Sequence, residues 1–261
     1  MPLHVDQSEA GVLTLRLDNP ERRNALDLDM AQGMRSALAS AATDPSVRCV
    51  LVTGTGNSFC SGADLGGLLE QGGGSVLLRR ELLGAYYRTF LDVRDFPVPT
   101  VAAVNGPAIG AGLNLALCCD LRLCSPSARF GATFVRIGIH PGGGATHLLT
   151  RLVGPARAAE MVLTGEIVEG ARAVELGLAN RFAKSDSLLE AAAVQLCEQI
   201  AGNAPAAVRA SKRALRLAQD QSFEAVLEVE ALAQAASQST EDAVEGWTAF
   251  REKRAPRFTG R

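Results

Sequence analysis

The segment from Phe96 to Cys119 contains no Asp, Glu, Lys or Arg, and it constrains the fold more than any other feature. About 20 apolar residues can span a bilayer. This segment, however, carries proline, glycine or asparagine at positions 97, 99, 105, 106, 107, 110, 112 and 114. A lipid-exposed helix with so many interruptions would leave backbone groups without hydrogen bonds. We therefore expect a buried strand, a tight loop and a buried helix in a soluble protein, with no membrane partner.

Strand and helix patterns alternate along the chain up to Gly144, and the pattern changes to helices after it. Residues 11–18 and 47–53 have strand patterns, and Asp27 is a plausible N-cap for a helix that ends near residue 42. The later helices are predicted at roughly 145–152, 155–163, 170–176, 186–201, 205–218, 221–236 and 240–253. We predict an α/β core in residues 1–200 and a C-terminal helical lobe in residues 201–261, without a Pro/Ser-rich linker between them.

The charge balance and the scarcity of aromatic residues argue against nucleic acid as a partner. The 26 Lys and Arg residues nearly balance the 28 Asp and Glu residues, and aromatic residues make up only 5% of the chain. A nucleic-acid binder usually has a basic excess or an aromatic stacking platform. The six cysteines form no C-x-x-C pair, and the N-terminus has no secretory pattern. We therefore expect reduced, buried thiols and a cytoplasmic protein.

The loop from Asn105 to Gly112 follows one predicted strand and opens a helix. Its G-x-x-x-G-x-G spacing also occurs in dehydrogenases that bind a dinucleotide. This alternative is weak because the loop lies in mid-chain and neither Tyr86 nor Tyr87 has a Lys four residues later. Close packing of the helix on a sheet is a purely structural alternative. In either case the free N–H groups of the helix N-terminus suit an oxygen that acquires negative charge.

Three segments taken together are far more specific than this loop alone. They are residues 56–65 (GNSFCSGADL), the loop at 105–112 (NGPAIGAG) and the stretch from Phe130-Gly131 to 140–144 (HPGGG). In order, spacing and residue type they resemble the crotonase superfamily, the enoyl-CoA hydratase/isomerase family. Residues 23–26 (RNAL) and 250–254 (FREKR) match as well, so the resemblance covers the chain from about Val12 to Phe258.

The resemblance implies a spiral of β-β-α turns followed by helices that mediate trimerisation, as a homotrimer or a dimer of trimers. It also implies that the ligand is a coenzyme A thioester, with no covalently bound cofactor and no metal. The backbone N–H groups of Ala63 and Ala111 would bind the thioester oxygen as an enolate forms. Substrate contacts are implied for the following further residues: Arg22, Arg23, Ala25, Ser61, Asp64, Leu65, Gly110, Phe134, Pro141, Gly142, Phe250 and Lys253, the last two from a neighbouring helical tail.

The chain departs from the family pattern at both positions where hydratases carry a catalytic glutamate. Asn114 and Phe134 stand there, and neither can remove a proton from water at neutral pH. His140 is the best candidate for a substitute base, although it could instead pack against or cap the following helix. Cys60 could be a nucleophile, but a small buried thiol is the simpler interpretation.

Three interpretations of the function therefore stay open. The protein could be a slow hydratase that uses Asn114 and water, a crotonase-fold enzyme of altered chemistry, or a non-catalytic acyl-CoA binder. Residues 251–261 contain five cations and one Glu, so a basic tail of net charge about +4 is also expected to approach the phosphates of CoA.

Overall fold

The computed structural model describes residues 2–64 and 74–261. Its larger sheet has the strand order β1-β2-β3-β4-β6-β9, in which β1 and β2 are antiparallel and the other neighbours are parallel. The strands are β1 (Leu3–Gln7), β2 (Val12–Leu17), β3 (Cys49–Gly54), β4 (Thr100–Val104), β6 (Leu121–Cys124) and β9 (Arg181–Phe182).

Both faces of this sheet are covered, which explains the continuous apolar runs of its central strands. Side chains alternate along β3, so Val50 and Val52 join the larger core while Cys49 and Leu51 face the opposite side. In the described chain, five helices contribute to the larger core and one contributes to the second core. The five are α1 (Leu28–Ala42), α2 (Val76–Arg94), α3 (Ala111–Cys118), α4 (Ala145–Thr164) and α5 (Gly170–Glu175), and the helix on the second face is α6 (Asp186–Ala201).

A smaller sheet has the order β5-β7-β8 and lies beside the glycine loop. It consists of β5 (Pro107–Ile109), β7 (Arg129–Gly131) and β8 (Ile167–Glu169). Parallel pairing of β5 with β7 holds the loop that precedes α3 against the segment that leads to Phe134. This sheet therefore brings two of the family segments to one place.

The C-terminal part of the chain is helical, as the sequence predicts. After α5 (Gly170–Glu175) and α6 come α7 (Pro205–Leu217), α8 (Phe223–Gln238) and α9 (Glu241–Glu252). The ion pair between Lys212 and Asp120 ties α7 to the core with an Nζ–Oδ2 distance of 2.6 Å. No helix in the described part of the chain is long and apolar enough to cross a membrane.

The six cysteines are all free and buried, as expected from their apolar surroundings. Asp27 is the N-cap of α1 and accepts a hydrogen bond from the Met30 N–H at 2.8 Å, which also confirms the prediction. The segment from Phe96 to Cys119 folds as strand, loop and buried helix, but the loop itself contains the three-residue strand β5.

Candidate active site

A short backbone bridge fixes the direction of the Ala63 N–H. The Leu26 N–H donates to the Gly62 carbonyl at 2.8 Å, and the Asp64 N–H donates to the Leu26 carbonyl at 3.1 Å. In this parallel bridge the N–H of Ala63 points away from Leu26. Ala63 itself is exposed.

Helix α3 supplies a second backbone donor at its first residue, Ala111. Gly110 caps the helix with φ 56°, a left-handed conformation that favours glycine, and its N–H donates to the Gly131 carbonyl at 2.9 Å. The first N–H groups of a helix have no partner inside it. A Cβ on Gly62 would lie 3.1 Å from the Ile109 oxygen and 4.0 Å from the Ala111 nitrogen, so the two donor segments are in contact.

Neither the Ala63 nor the Ala111 N–H has a backbone acceptor within residues 2–64 and 74–261. The glycines between them permit close packing: a Cβ on Gly112 would overlap the Cys60 carbonyl oxygen. The glycine spacing is thus explained by a helix packed against the neighbouring segment. A dinucleotide is not needed to account for it.

The other end of α3 is capped by a buried arginine. Arg122 donates from Nη1 to the Cys119 carbonyl at 2.6 Å and from Nε to the Leu178 carbonyl at 2.8 Å. A cation at a helix C-terminus interacts favourably with the helix dipole. Burial lowers the pKa of Arg122, since the charged form loses hydration. The helix that carries Ala111 is therefore anchored at both ends.

Asn114 lies one helical turn beyond Ala111 and is only 2% exposed. Its Nδ2 donates to the Gly142 carbonyl at 2.9 Å, which identifies the nitrogen side of the amide. Its Oδ1 is buried and has no partner among the described residues. The Asn114 amide is thus bound to the Gly142 carbonyl, in the turn that precedes α4 (the Gly142 turn). It is not exposed to solvent.

Phe134 contributes an aromatic wall at the start of α3. It belongs to a 3-10 helix over Thr133–Ile137, and its ring lies 3.8 Å from the point where a Gly110 Cβ would stand. Phe134 is half-buried and packs against the larger core. An apolar surface therefore occupies the position where the family resemblance predicts a carboxylate.

The loop that contains Arg22 and Arg23 is built around a buried asparagine. Asn24 is fully buried, and its Nδ2 donates to the carbonyls of Thr55 at 2.9 Å and Ser58 at 2.7 Å. The Arg23 carbonyl accepts from the Ser61 N–H at 3.0 Å. These bonds place the exposed side chains of Arg22 and Arg23 beside the Ala63 segment.

Several other residues for which the resemblance implies substrate contacts lie beside Arg22 and Arg23. Asp64 forms an ion pair with Arg22 at 2.8 Å, and the Ser61 hydroxyl donates to the Arg22 carbonyl at 3.2 Å. Ala25 is half-buried, and its N–H donates to the same carbonyl at 3.1 Å. Leu65 lies outside the described residues.

The remaining titratable candidates are divided between exposed and buried positions. His140 is exposed and makes no hydrogen bond with a described residue, so it does not cap α4. The next residue, Pro141, is buried and leads into the Gly142 turn. His147 is exposed on α4. Cys60 is fully buried, and burial raises its pKa to about 12, which removes it as a nucleophile at neutral pH.

The basic C-terminal tail is partly neutralised within its own chain. Arg254 pairs with Glu245 at 2.6 Å and with Glu252 at 2.7 Å. Lys253, by contrast, has no ion pair within residues 2–64 and 74–261, and Phe250 is 76% exposed. The tail therefore presents less free positive charge than its composition predicts.

Sequence reasoning missed Tyr87 on α2, whose hydroxyl lies directly over the Gly142 turn. A Cβ on Gly142 would overlap this hydroxyl. The ring of Tyr87 packs 5.9 Å from that of Phe90, which is fully buried. No spacing in the sequence pairs residue 87 with residue 142. Only their meeting in the folded chain reveals the contact.

Within the described residues no group of three or more His, Cys, Asp or Glu side chains is arranged to hold a metal ion. The donors brought together at this site are backbone N–H groups, the Asn114 amide and the Tyr87 hydroxyl. Such a site can bind and polarise a carbonyl oxygen.

Comparison with known proteins agrees with the fold. A family model described as enoyl-CoA hydratase/isomerase matches residues 7–261. A putative enoyl-CoA hydratase from Thermus thermophilus is 42% identical over 255 residues, which cover 97% of this chain and 99% of that protein. The 2,3-dehydroadipyl-CoA hydratase of Escherichia coli K12 is 38% identical over 250 residues, with 96% of each chain covered.

A solved structure has the same fold as this chain. The enoyl-CoA hydratase from Bacillus anthracis superimposes with a TM-score of 0.93 at 34% identity, and all of both chains is covered. The chain is therefore a crotonase-fold α/β protein. It belongs to the enoyl-CoA hydratase/isomerase family.

Proposed function

We propose that this protein binds an acyl-CoA thioester and stabilises its enolate with the N–H groups of Ala63 and Ala111. The observation that carries the proposal is the contact between the Gly62 segment and the first residue of α3, which leaves both N–H groups without a backbone acceptor in the described chain. Two convergent donors that are fixed before reaction stabilise a developing oxyanion at little reorganisation cost.

The proposed reaction is of the hydratase or isomerase type, in accordance with the names of the relatives. Neither Asn114 nor Phe134 supplies a carboxylate, and general acid–base catalysis contributes about 10²–10⁴-fold. We therefore expect hydration to be slow. A non-catalytic acyl-CoA binder is the second candidate, and it is favoured by the same two substitutions.

The CoA portion would lie along the rim formed by Arg22 and Arg23. Further contacts would come from Lys253 and Phe250 of a neighbouring chain. The exposure of Phe250 and the unpaired state of Lys253 in the described chain support this part of the proposal. A trimer, or a dimer of trimers, would supply such a neighbour.

The proposal is tested with crotonyl-CoA. We expect measurable binding by isothermal titration, together with hydration that is about 10²–10⁴-fold below that of a relative with both glutamates. Binding without turnover would select the non-catalytic candidate. Absence of binding to any acyl-CoA would contradict the proposal, as would fast hydration that is unaffected by substitution of Asn114 and His140.

A further inference from the structure

Two adjacent tyrosines on α2 use their hydroxyls differently. Tyr86 is 5% exposed, and its hydroxyl donates to the Leu26 carbonyl at 2.8 Å. Tyr87 is half-buried, and its hydroxyl has no acceptor within residues 2–64 and 74–261. Burial raises the pKa of Tyr87, and a smaller interaction with the Gly143 backbone N–H lowers it. The phenol is thus protonated at neutral pH and is available as a donor.

A continuous series of contacts connects this hydroxyl to the proposed enolate site. Asn114 lies one turn from Ala111, and its Nδ2 binds the Gly142 carbonyl at 2.9 Å. The Tyr87 hydroxyl lies over Gly142, on the same turn. Since an acyl chain extends away from its thioester carbonyl, we expect it to reach a hydroxyl that lies three residue contacts from Ala111.

Among the described residues, the wall around Tyr87 is otherwise apolar or already hydrogen-bonded. The Phe134 ring lies at Gly110, and the Phe90 ring lies beside Gly143. The Asn114 side chain is buried and committed to Gly142. Among these four wall residues, Tyr87 is the one with an unused side-chain donor, since its hydroxyl oxygen interacts with the Gly143 N–H but its hydrogen has no acceptor in the described chain. A ligand oxygen that met these four residues would find one donor.

We propose that Tyr87 determines specificity by donating a hydrogen bond to an oxygen on the acyl chain, beyond the thioester carbonyl. The ligand class is therefore an oxygenated acyl-CoA, such as a 3-oxoacyl-CoA. The inference rests on the proposed function, because it takes the Ala63 and Ala111 N–H groups as the site of the thioester oxygen. An unsubstituted chain would leave the Tyr87 hydroxyl without an acceptor, which disfavours its binding.

The test compares acetoacetyl-CoA with butyryl-CoA, which have the same chain length and differ by the oxygen at C3. Dissociation constants are measured slightly below neutral pH for the wild type, Tyr87→Phe and Tyr86→Phe. We expect the preference for acetoacetyl-CoA to fall about 3–10-fold in Tyr87→Phe, as for the loss of one hydrogen bond. Tyr86→Phe removes a structural bond, so it should lower the melting temperature and leave the preference unchanged.

An unchanged preference in Tyr87→Phe would overturn the inference, and so would an equal loss of affinity for both ligands. If the wild type bound neither ligand, the proposed function itself would fail, and the role of Tyr87 with it. Binding of both ligands with no effect of Tyr87→Phe would leave the acyl-CoA site intact and reject only the specificity role.

Discussion

Asn114 and Phe134 occupy the two positions where the family resemblance predicts glutamates, and their surroundings differ. Asn114 is almost completely buried and binds the Gly142 carbonyl, so its amide stabilises a turn. Phe134 is half-buried beside Gly110, at the edge of the site. A carboxylate at residue 114 would face the Gly142 carbonyl oxygen, whereas residue 134 has room for a polar side chain.

This difference predicts a gain of activity at residue 134. Phe134→Glu should raise the rate of crotonyl-CoA hydration by about 10²–10⁴-fold, because it supplies a group that can accept a proton from water. Initial rates at saturating substrate measure the effect. Phe134→Gln has nearly the same size as the Glu variant but cannot act as a base, and it should stay at the wild-type rate. Equal rates for the Glu and Gln variants would show that residue 134 does not face the reacting carbons.

At the scale of elements, sequence patterns predict the long helices and the buried strands well. Ala111–Cys118 is the buried helix that was predicted to follow the glycine loop, and Gly110 is its N-cap. The three-residue strands Pro107–Ile109 and Ile167–Glu169 were not predicted, because so short a segment has no periodicity and forms only through its tertiary partner. Gly154 and Pro155 predict a helix break, and Gly154 is non-helical with φ 79° inside Ala145–Thr164.

The buried ammonium group of Lys212 links helix α7 to the core. Lys212 is 7% exposed and binds both Asp120 at 2.6 Å and the Val98 carbonyl at 2.7 Å. Removal of one partner from a buried ion pair costs about 3–5 kcal/mol. Lys212→Met should therefore lower the free energy of unfolding by about that amount, measured in urea at fixed protein concentration.

The matched control is Lys184→Met, since Lys184 is exposed and has no ion pair in the described chain. This change should stay within about 0.5 kcal/mol of the wild type. A Lys212 variant with the same stability as the control would mean that α7 is held by its apolar contacts alone.

At the scale of the whole molecule, the C-terminal helices expose several large apolar side chains. In the described chain, none of the 16 residues of α8 is buried, and Phe223 and Leu232, on opposite sides of this helix, are each 75% exposed. Large apolar side chains exposed in this way are typical of interaction surfaces. The trimer expected from the family resemblance would cover such side chains with copies of the same chain, a feature that secondary-structure patterns cannot predict.

This expectation leads to a test of assembly. If the expected trimer forms through this helix, Leu232→Glu should yield monomers of 27.3 kDa in sedimentation velocity, because it would bury a charge between copies. Leu188→Glu, at an exposed position on α6, is the control and should keep the wild-type mass. A Leu232 variant that sediments like the wild type would place the interface elsewhere.

Local patterns alone could not identify the site. The glycine loop indicated close packing or a phosphate site, and only the joint match of three segments pointed to an enolate site. The Asn114–Gly142 bond and the Tyr87 contact depend on the folded geometry, since residues 87, 114 and 142 lie on different elements. The family resemblance of the sequence therefore predicts which backbone donors form the proposed enolate site. The folded chain adds which side chains surround them.

The most direct measurement of the central claim removes one backbone donor and leaves the fold intact. Ala111 is the first residue of α3, a position where proline is well tolerated, and Ala111→Pro deletes its N–H. Cinnamoyl-CoA absorbs at longer wavelength when its thioester carbonyl is polarised, so its spectrum reports on the donors without any turnover. Ala111→Ser keeps the N–H and serves as the control.

We predict a red shift of bound cinnamoyl-CoA in the wild type and in Ala111→Ser, and its loss in Ala111→Pro. Hydration of crotonyl-CoA, where measurable, should fall about 10²–10³-fold in the proline variant. A wild-type complex without a red shift, or an undiminished shift in a folded Ala111→Pro variant that still binds the ligand, would contradict the account.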